Sequence, residues 1–339
     1  MANQPVNSKE KITIKHVAKD AGVSVAAVSK VMRNAYGVSD KLRAKVLKSI
    51  EKLDYRPSTA ARAMRGRTYT VGVLLVEMEN PFLATVVQGL KSTLNTENYK
   101  FFVGVGQAQE SLEQALIDSM IDMHMDGVIL IAPRLSGTQL EKYARQIPMV
   151  VVGHHEPESE AFDTINSDDI AGAQMAVQTL LKGGHKKIKM ISLKQTGSGS
   201  DVPATRERGY IQAMQDAGLD DEIEILYIRE KPGRKGLALE TVFDLSPPAE
   251  AIFCWSDLHG VDLICQAKAR GLAVPEDLAI ISYDNNALAQ LPLVDLSSVD
   301  QHGGDIGSCA ATTILSRIDG RKDAKHVLIA PELKLRSSS

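Results

Sequence analysis

The sequence predicts a small all-α headpiece followed by an α/β body of two doubly wound parallel-sheet lobes. Three observations carry this reading. The first 56 residues show helical periodicity in three short stretches, none with an internal proline. From Tyr69 onward, short continuous apolar runs alternate with stretches of helical length, as strands buried on both faces of a parallel sheet require. Those runs fall into two sets, which describes two lobes rather than one.

Length and composition are consistent with this. A chain of 339 residues suits two or three compact units at about 100 to 200 residues each. With 44% apolar and 24% charged residues it has a globular composition, and no apolar run approaches the roughly 20 residues of a membrane span. The start MANQPVNSKEKITIKH has no apolar stretch behind its charges, so a secretory signal is not expected and a cytoplasmic location is. Cys254, Cys265 and Cys309 lack CxxC spacing, which points to reduced thiols rather than disulfides or zinc. No metal and no cofactor is expected.

In the headpiece (1–56), Ile14, Val17, Ala18 and Ala21 recur at i, i+3, i+4 and i+7, and Gly22 stands where a helix would stop. Ser24 is a candidate N-cap for a second helix that turns Val28 and Val31 inward. A third runs from about Asp40 to Asp54 with Leu42, Val46, Leu47, Ile50 and Leu53 as its stripe. Arg56-Pro57-Ser58 breaks the pattern, and TAARAMRGR forms a linker (57–69) with helical propensity and no core of its own. The expected strands are VGVLLV (71–76), KFFVGVG (100–106), DGVILIA (126–132) and PMVVVG (148–153), then KIKMISL (187–193), EIEILYI (222–228), AEAIFCW (249–255) and LAIISYD (278–284). The first lobe is expected to comprise 70–163 and 293–320, the second 164–292 and 321–339, with crossings near 162–166, 291–299 and 319–326.

Charge divides the chain. Residues 1–70 hold 15 of the 39 basic and 5 of the 42 acidic residues, a local charge of +10, so 71–339 carry −13. The first end suits a polyanion and the remainder would be repelled by one.

The string TIKHVAKDAGVSVAAVSKVMRN closely resembles the helix-turn-helix of the lactose and galactose repressor (LacI/GalR) family, and the resemblance extends through VSDKLRAKVLKSIEKLDYRPSTAARAMR. It implies a sequence-specific regulator on a double-stranded, near-palindromic DNA operator, bound as a homodimer. Ser24 would cap the second helix so that its free N–H groups point at DNA, and Thr13 and Ser39 would donate to phosphates; these contacts fix register. The positions that read bases in the family are here Val25, Ala26, Ser29 and Lys30. Lys30 can donate to guanine, whereas Val25 and Ala26 offer only apolar contact, suited to thymine methyls. Arg33 would add backbone charge. Met64 occupies the place of the family's minor-groove wedge, usually leucine. A protein-binding helical domain and an ordinary linker methionine are the competing readings.

Residues 70–339 resemble the effector-binding core of these repressors, itself similar to periplasmic sugar-binding proteins. The resemblance places Phe82 (ENPF), Arg206 (ATRERGY) and Asp284 (SYDN) around a small effector, a sugar, nucleoside or purine, in the cleft between the lobes. Asn166 would orient Arg206, and Lys231 and Trp255 stand where relatives carry other residues. A core phenylalanine, a surface arginine and a helix-capping aspartate are the alternatives. Lys231 with His154 and His155 would suit a phosphorylated or acidic ligand. An enzyme finds little support: GVGQAQ lacks the third glycine of a dinucleotide fingerprint, and neither a phosphate loop nor GxSxG occurs. A transport-type binding protein would fit residues 70–339 alone, and the headpiece argues against it.

Overall fold

The structure, a computed structural model, describes residues 12–32, 36–55, 66–193, 202–228, 230–231, 234–237, 242–246 and 248–339. It divides into two units, Met1–Thr68 and Tyr69–Ser339.

In the first unit the helical periodicity becomes α1 (Ile14–Asp20), α2 (Val25–Met32) and α3 (Asp40–Lys52). One valine from each, Val17, Val28 and Val46, is wholly buried, and Ile14, Ala18, Ala21, Val31 and Tyr55 close around them. Gly22, at φ +56°, takes the left-handed turn between α1 and α2 that a side chain would resist. Lys52 reaches back to Asp20 at 2.6 Å and ties α3 to α1. Leu47 departs from expectation: it is 51% exposed, and Ser49 is buried instead. Leu47 lies about 100° around the helix from Val46, outside the stripe that Leu42, Val46 and Ile50 share.

The second unit contains two six-stranded sheets. The first is built from β1 (Thr70–Leu75), β2 (Lys100–Val105), β3 (Gly127–Ile131), β4 (Met149–Val152), β5 (Asp163–Ser167) and β13 (His326–Ile329), in the order β13-β5-β4-β3-β1-β2. All its pairings are parallel. The second sheet holds β6 (Ile188–Leu193), β7 (Ile225–Ile228), β10 (Ala251–Cys254), β11 (Ala279–Tyr283), β12 (Ser297–Asp300) and β14 (Glu332–Lys334), ordered β14-β12-β11-β10-β6-β7, with β14 antiparallel to β12. A separate hairpin pairs β8 (Glu230–Lys231) with β9 (Arg234–Leu237). The connecting helices are α4 (Pro81–Thr96), α5 (Glu110–Asp122), α6 (Gly137–Ala144), α7 (Asp169–Lys182), α8 (Val202–Asp216), α9 (Asp257–Ala269) and α10 (Gly303–Ile318). Each sheet carries an apolar cluster on both faces, which is the doubly wound class the sequence predicts.

The lobe boundaries fall later than expected. Strand β5 still belongs to the first sheet, β12 to the second, and β13 to the first again. The chain therefore crosses between Ser167 and Asp169, between Asp300 and Gly303, and between Ile329 and Glu332. Residues 164–167 and 326–329 thus lie in the first lobe and 297–300 in the second, against the division expected. The reason is compositional, because β5 reads DTINS and β12 SSVD, with no apolar run to announce a strand. Polar partners make such strands possible. Buried Asp163 receives Nε of Arg317 at 2.9 Å, Nη2 of Arg321 at 2.7 Å and the backbone N–H of Lys325 at 2.7 Å. Burial opposes its charge, but the two arginines prevail and hold the carboxyl below its ordinary range. Conversely KFFVGV is an edge strand, with Phe102 55% and Val103 45% exposed.

Helix α10 returns to the first lobe and packs on α4 at backbone contact. A Cβ on Gly89 would lie 2.1 Å from the Gly304 carbonyl oxygen, and one on Gly307 would lie 2.0 Å from that of Val86. Asp163 ties the returning chain into the first lobe, since it joins β5, α10 and the segment entering β13. Asp163→Ala leaves two arginines without their buried counter-charge and should lower stability by about 3–5 kcal/mol, read as a lower denaturation midpoint at neutral pH; an unchanged midpoint would contradict this role.

Candidate functional site

Two regions gather the predicted residues. In the headpiece, the Ser24 hydroxyl accepts from the Ala27 N–H at 3.1 Å and caps α2, while the Ser39 hydroxyl accepts from the Leu42 N–H at 3.3 Å and caps α3. Each uses a lone pair, so the hydroxyl proton is not consumed by the cap. Thr13 is exposed at the start of α1, with its backbone N–H on Nδ1 of His16 at 3.2 Å. Ala26 and Lys30, four apart, are exposed on one face of α2, with half-buried Ser29 beside them. Val25 differs from the outward reading: it is half-buried and packs on the headpiece core. Arg33 and Met64 lie outside the described residues. Lys30→Ala should weaken specific operator binding by about 1–3 kcal/mol and relax preference at one base pair, measurable by fluorescence anisotropy on operator variants; a uniform loss across all sequences would make Lys30 a phosphate contact only.

In the second unit the polar groups converge beyond the carboxyl ends of the strands, where open α/β sheets bind ligands. Arg206, on α8, is 2% exposed. Its Nε donates to Oδ1 of Asp169 at 2.9 Å and its Nη1 to the Trp255 carbonyl at 2.5 Å. The guanidinium carbon stands 3.6 Å from the ring centroid of Tyr283 and 5.7 Å from that of Trp255. Burial alone would lower the arginine's pKa, but Asp169, Tyr283 and Asp284 raise it, so the charge persists. Burial likewise works against ionised Asp169, and Arg206 and His155 overcome it.

Asp284 has a different balance. Oδ1 accepts from Gln301 at 2.5 Å and Oδ2 from Asn80 at 3.2 Å, and Arg206 stands 3.9 Å away. Burial, aided by the nearby Asp257 carboxylate, pushes its pKa up to about 8 against the pull of Arg206. Its φ of +111° is a region that L side chains rarely occupy. Asn80 belongs to the first lobe, where its side-chain oxygen caps α4 through the Phe82 N–H at 2.9 Å. The Asn80–Asp284 hydrogen bond therefore joins the two lobes.

Other expected residues are placed differently. Asn166 does not orient Arg206: its oxygen accepts from the N–H groups of Gly153 at 2.7 Å and His154 at 3.1 Å, and its nitrogen donates to the His154 carbonyl at 3.0 Å. Asp169, the first residue of the next helix, does that work. Phe82 is 9% exposed and sits in the first-lobe core with its ring against Gly303. Lys231 lies in β8 of the hairpin. His155 pairs through Nε2 with Oδ2 of Asp169 at 3.0 Å, and Nε2 of buried His154 stands 3.4 Å from Glu156. Both histidines thus face protein carboxylates. The sequence reading missed Asp169, Asn80, Gln301 and Tyr283. The one signal for Asn80 was its place before Pro81 as a helix cap.

The folded Asp284 keeps its proton to higher pH than an unfolded aspartate. The folded state binds the extra proton between about pH 4 and about pH 8, so this group's contribution makes stability fall as pH rises through that window. Asp284→Asn should therefore melt above the wild type at pH 8, with the gap closing near pH 5; a lower melting temperature at pH 8 would contradict the charge assignment.

A family model for bacterial regulatory proteins of the lacI family matches residues 13–58, and one for a periplasmic binding protein-like domain matches residues 177–339. The transcriptional repressor CytR of Escherichia coli strain K12 is 31% identical over 318 residues, 91% of this chain and 90% of CytR. The chain belongs to the LacI family. As a LacI-family member it is a DNA-binding transcriptional regulator with an effector-binding domain. The repressor PurR of Erwinia tasmaniensis is 29% identical over 335 residues, 96% of each chain. A solved complex of the regulator CelR with cellobiose superposes with a TM-score of 0.71 at 26% identity, covering 97% of this LacI-family chain and 100% of CelR. Among the described residues no helix is long and apolar enough to cross a membrane.

Proposed function

We propose that the chain is a ligand-gated repressor, a homodimer on a near-palindromic operator whose DNA affinity is set by a neutral sugar, nucleoside or purine held in the cleft. The observation that carries this is the buried Arg206 set between Asp169 and Asp284 at the carboxyl ends of the second sheet. One cation neutralised by the Asp169 carboxylate, with the buried Asp284 acid beside it, offers donors and acceptors together without a surplus positive charge. Hydroxyl and amine groups fit such a wall, and a phosphate does not. The CelR neighbour, solved with cellobiose, supports a polyhydroxyl effector. The headpiece supplies register through Ser24, Ser39 and Thr13, and Ala26 and Lys30 face the bases. Cleft closure shifts the population between two lobe arrangements and so changes the presentation of the paired headpieces.

The test is operator binding by the full chain with and without adenosine, cytidine, guanine, ribose, glucose and cellobiose. One of these should change operator affinity about 5- to 150-fold, and Asp284→Asn should abolish that response while binding operator alone as the wild type does. Equal operator affinity in the presence of every ligand would overturn the reading.

A further inference from the structure

Trp255 and His259 form a packed aromatic pair beside Arg206. Trp255 follows the last residue of β10, and its backbone carbonyl accepts the Nη1 hydrogen bond of Arg206 at 2.5 Å. Its side chain is half-buried, packing against the edges of both second-lobe apolar clusters with the rest of its surface accessible. The indole Nε1–H donates a long hydrogen bond of 3.5 Å to Nε2 of His259, one turn along in α9, and the two ring centroids are 5.7 Å apart at 56°. His259 is 6% exposed. Burial alone depresses its pKa to about 3, so the imidazole is neutral. With Nε2 accepting from the indole, the imidazole proton sits on Nδ1 and goes to the Ser256 hydroxyl at 2.7 Å. Both imidazole nitrogens are thus engaged, one of them in fixing the indole.

We propose that Trp255 is the flat wall on which the effector's ring rests, and that His259 is the positioning residue that holds the indole at that angle. This rests on the cleft reading above. An aromatic side chain with its polar edge already satisfied presents its faces for contact. Here the indole lies beside the Arg206 guanidinium, 5.7 Å from its centroid, so stacking surface and hydrogen-bond fork are offered as one unit. A ligand that uses both has a ring with an apolar face and hydroxyl, carbonyl or amine groups on its edge. Nucleobases and pyranoses share that chemistry.

Trp255 is the single tryptophan of the chain, so intrinsic emission reports on this wall alone. Adenosine, cytidine, ribose and cellobiose are titrated into the full chain by calorimetry and by tryptophan emission in parallel, and the calorimetry is repeated on Trp255→Ala, Trp255→Phe, His259→Leu and His259→Gln. A ligand that gives saturable heat should change the emission with the same midpoint. Trp255→Ala should weaken it about 10-fold or more, and Trp255→Phe much less, as loss of an aromatic contact requires. His259→Leu should weaken binding and His259→Gln should restore it, because only glutamine can accept from the indole. Binding by a nucleoside and not cellobiose makes the stacked ring a base, and the reverse makes it a pyranose; both support the proposal. Saturable heat with unchanged emission, or undiminished binding by Trp255→Ala, overturns the Trp255 assignment and leaves the cleft standing. A panel without any heat overturns the cleft reading and this inference with it.

Discussion

The buried pair between Asp169 and Arg206 is the constraint around which the effector domain is organised. Asp169 is the first residue of α7, reached immediately after the chain leaves the first sheet. Both carboxylate oxygens are committed, one to Arg206 on α8 and the other to His155 on the loop after β4. The contact thus fastens a first-lobe loop and a second-lobe helix to one crossing. Desolvating such a pair costs several kcal/mol, and it persists only where further hydrogen bonds complete it. The Trp255 carbonyl and the face of Tyr283 supply that completion for Arg206. A guanidinium fixed in this way loses little freedom when a ligand arrives, which is how preorganisation turns into affinity.

Asp284 is the counterpart, less satisfied than Asp169. It is held at an unfavourable φ, driven toward its neutral form by burial, and joined to the first lobe through Asn80. Stored strain and an uncomfortable buried acid are costs that a fold retains where a ligand relieves them. The two aspartates flank the same arginine, one keeping it charged and in place, the other hydrogen-bonded to Asn80 and Gln301.

Much of this was legible in the residues, and what was not has a physical explanation. Eight apolar runs became eight strands; the interior ones, such as β1, β3 and β10, are apolar because both faces are covered, whereas β2 is an edge strand with part of its run exposed. The helix-turn-helix was readable from Val17, Val28, Val31 and the Ser24 cap, since small helical cores depend on few positions. Polar strands were not readable. Asp163, Thr164, Asn166 and Ser167 are all buried in β5, and partners such as the two arginines about 150 residues away that hold Asp163 and the His326 ring that meets Thr164 leave no local pattern. The crossings were misplaced for the same cause. Arg206 and Asp284 could be named from the family resemblance, but Asp169 and His259 act through partners distant in sequence or hidden by burial, which spacing does not encode.

The account couples two events, ligand in the cleft and headpiece on DNA, through one change in population. Thermodynamic linkage makes this coupling reciprocal. The most direct measurement is therefore the calorimetric affinity of an effector for the full chain, free and then saturated with operator. The account predicts that operator changes effector affinity by the same factor by which effector changes operator affinity. An effector that binds equally well to the free and the DNA-bound protein would contradict it.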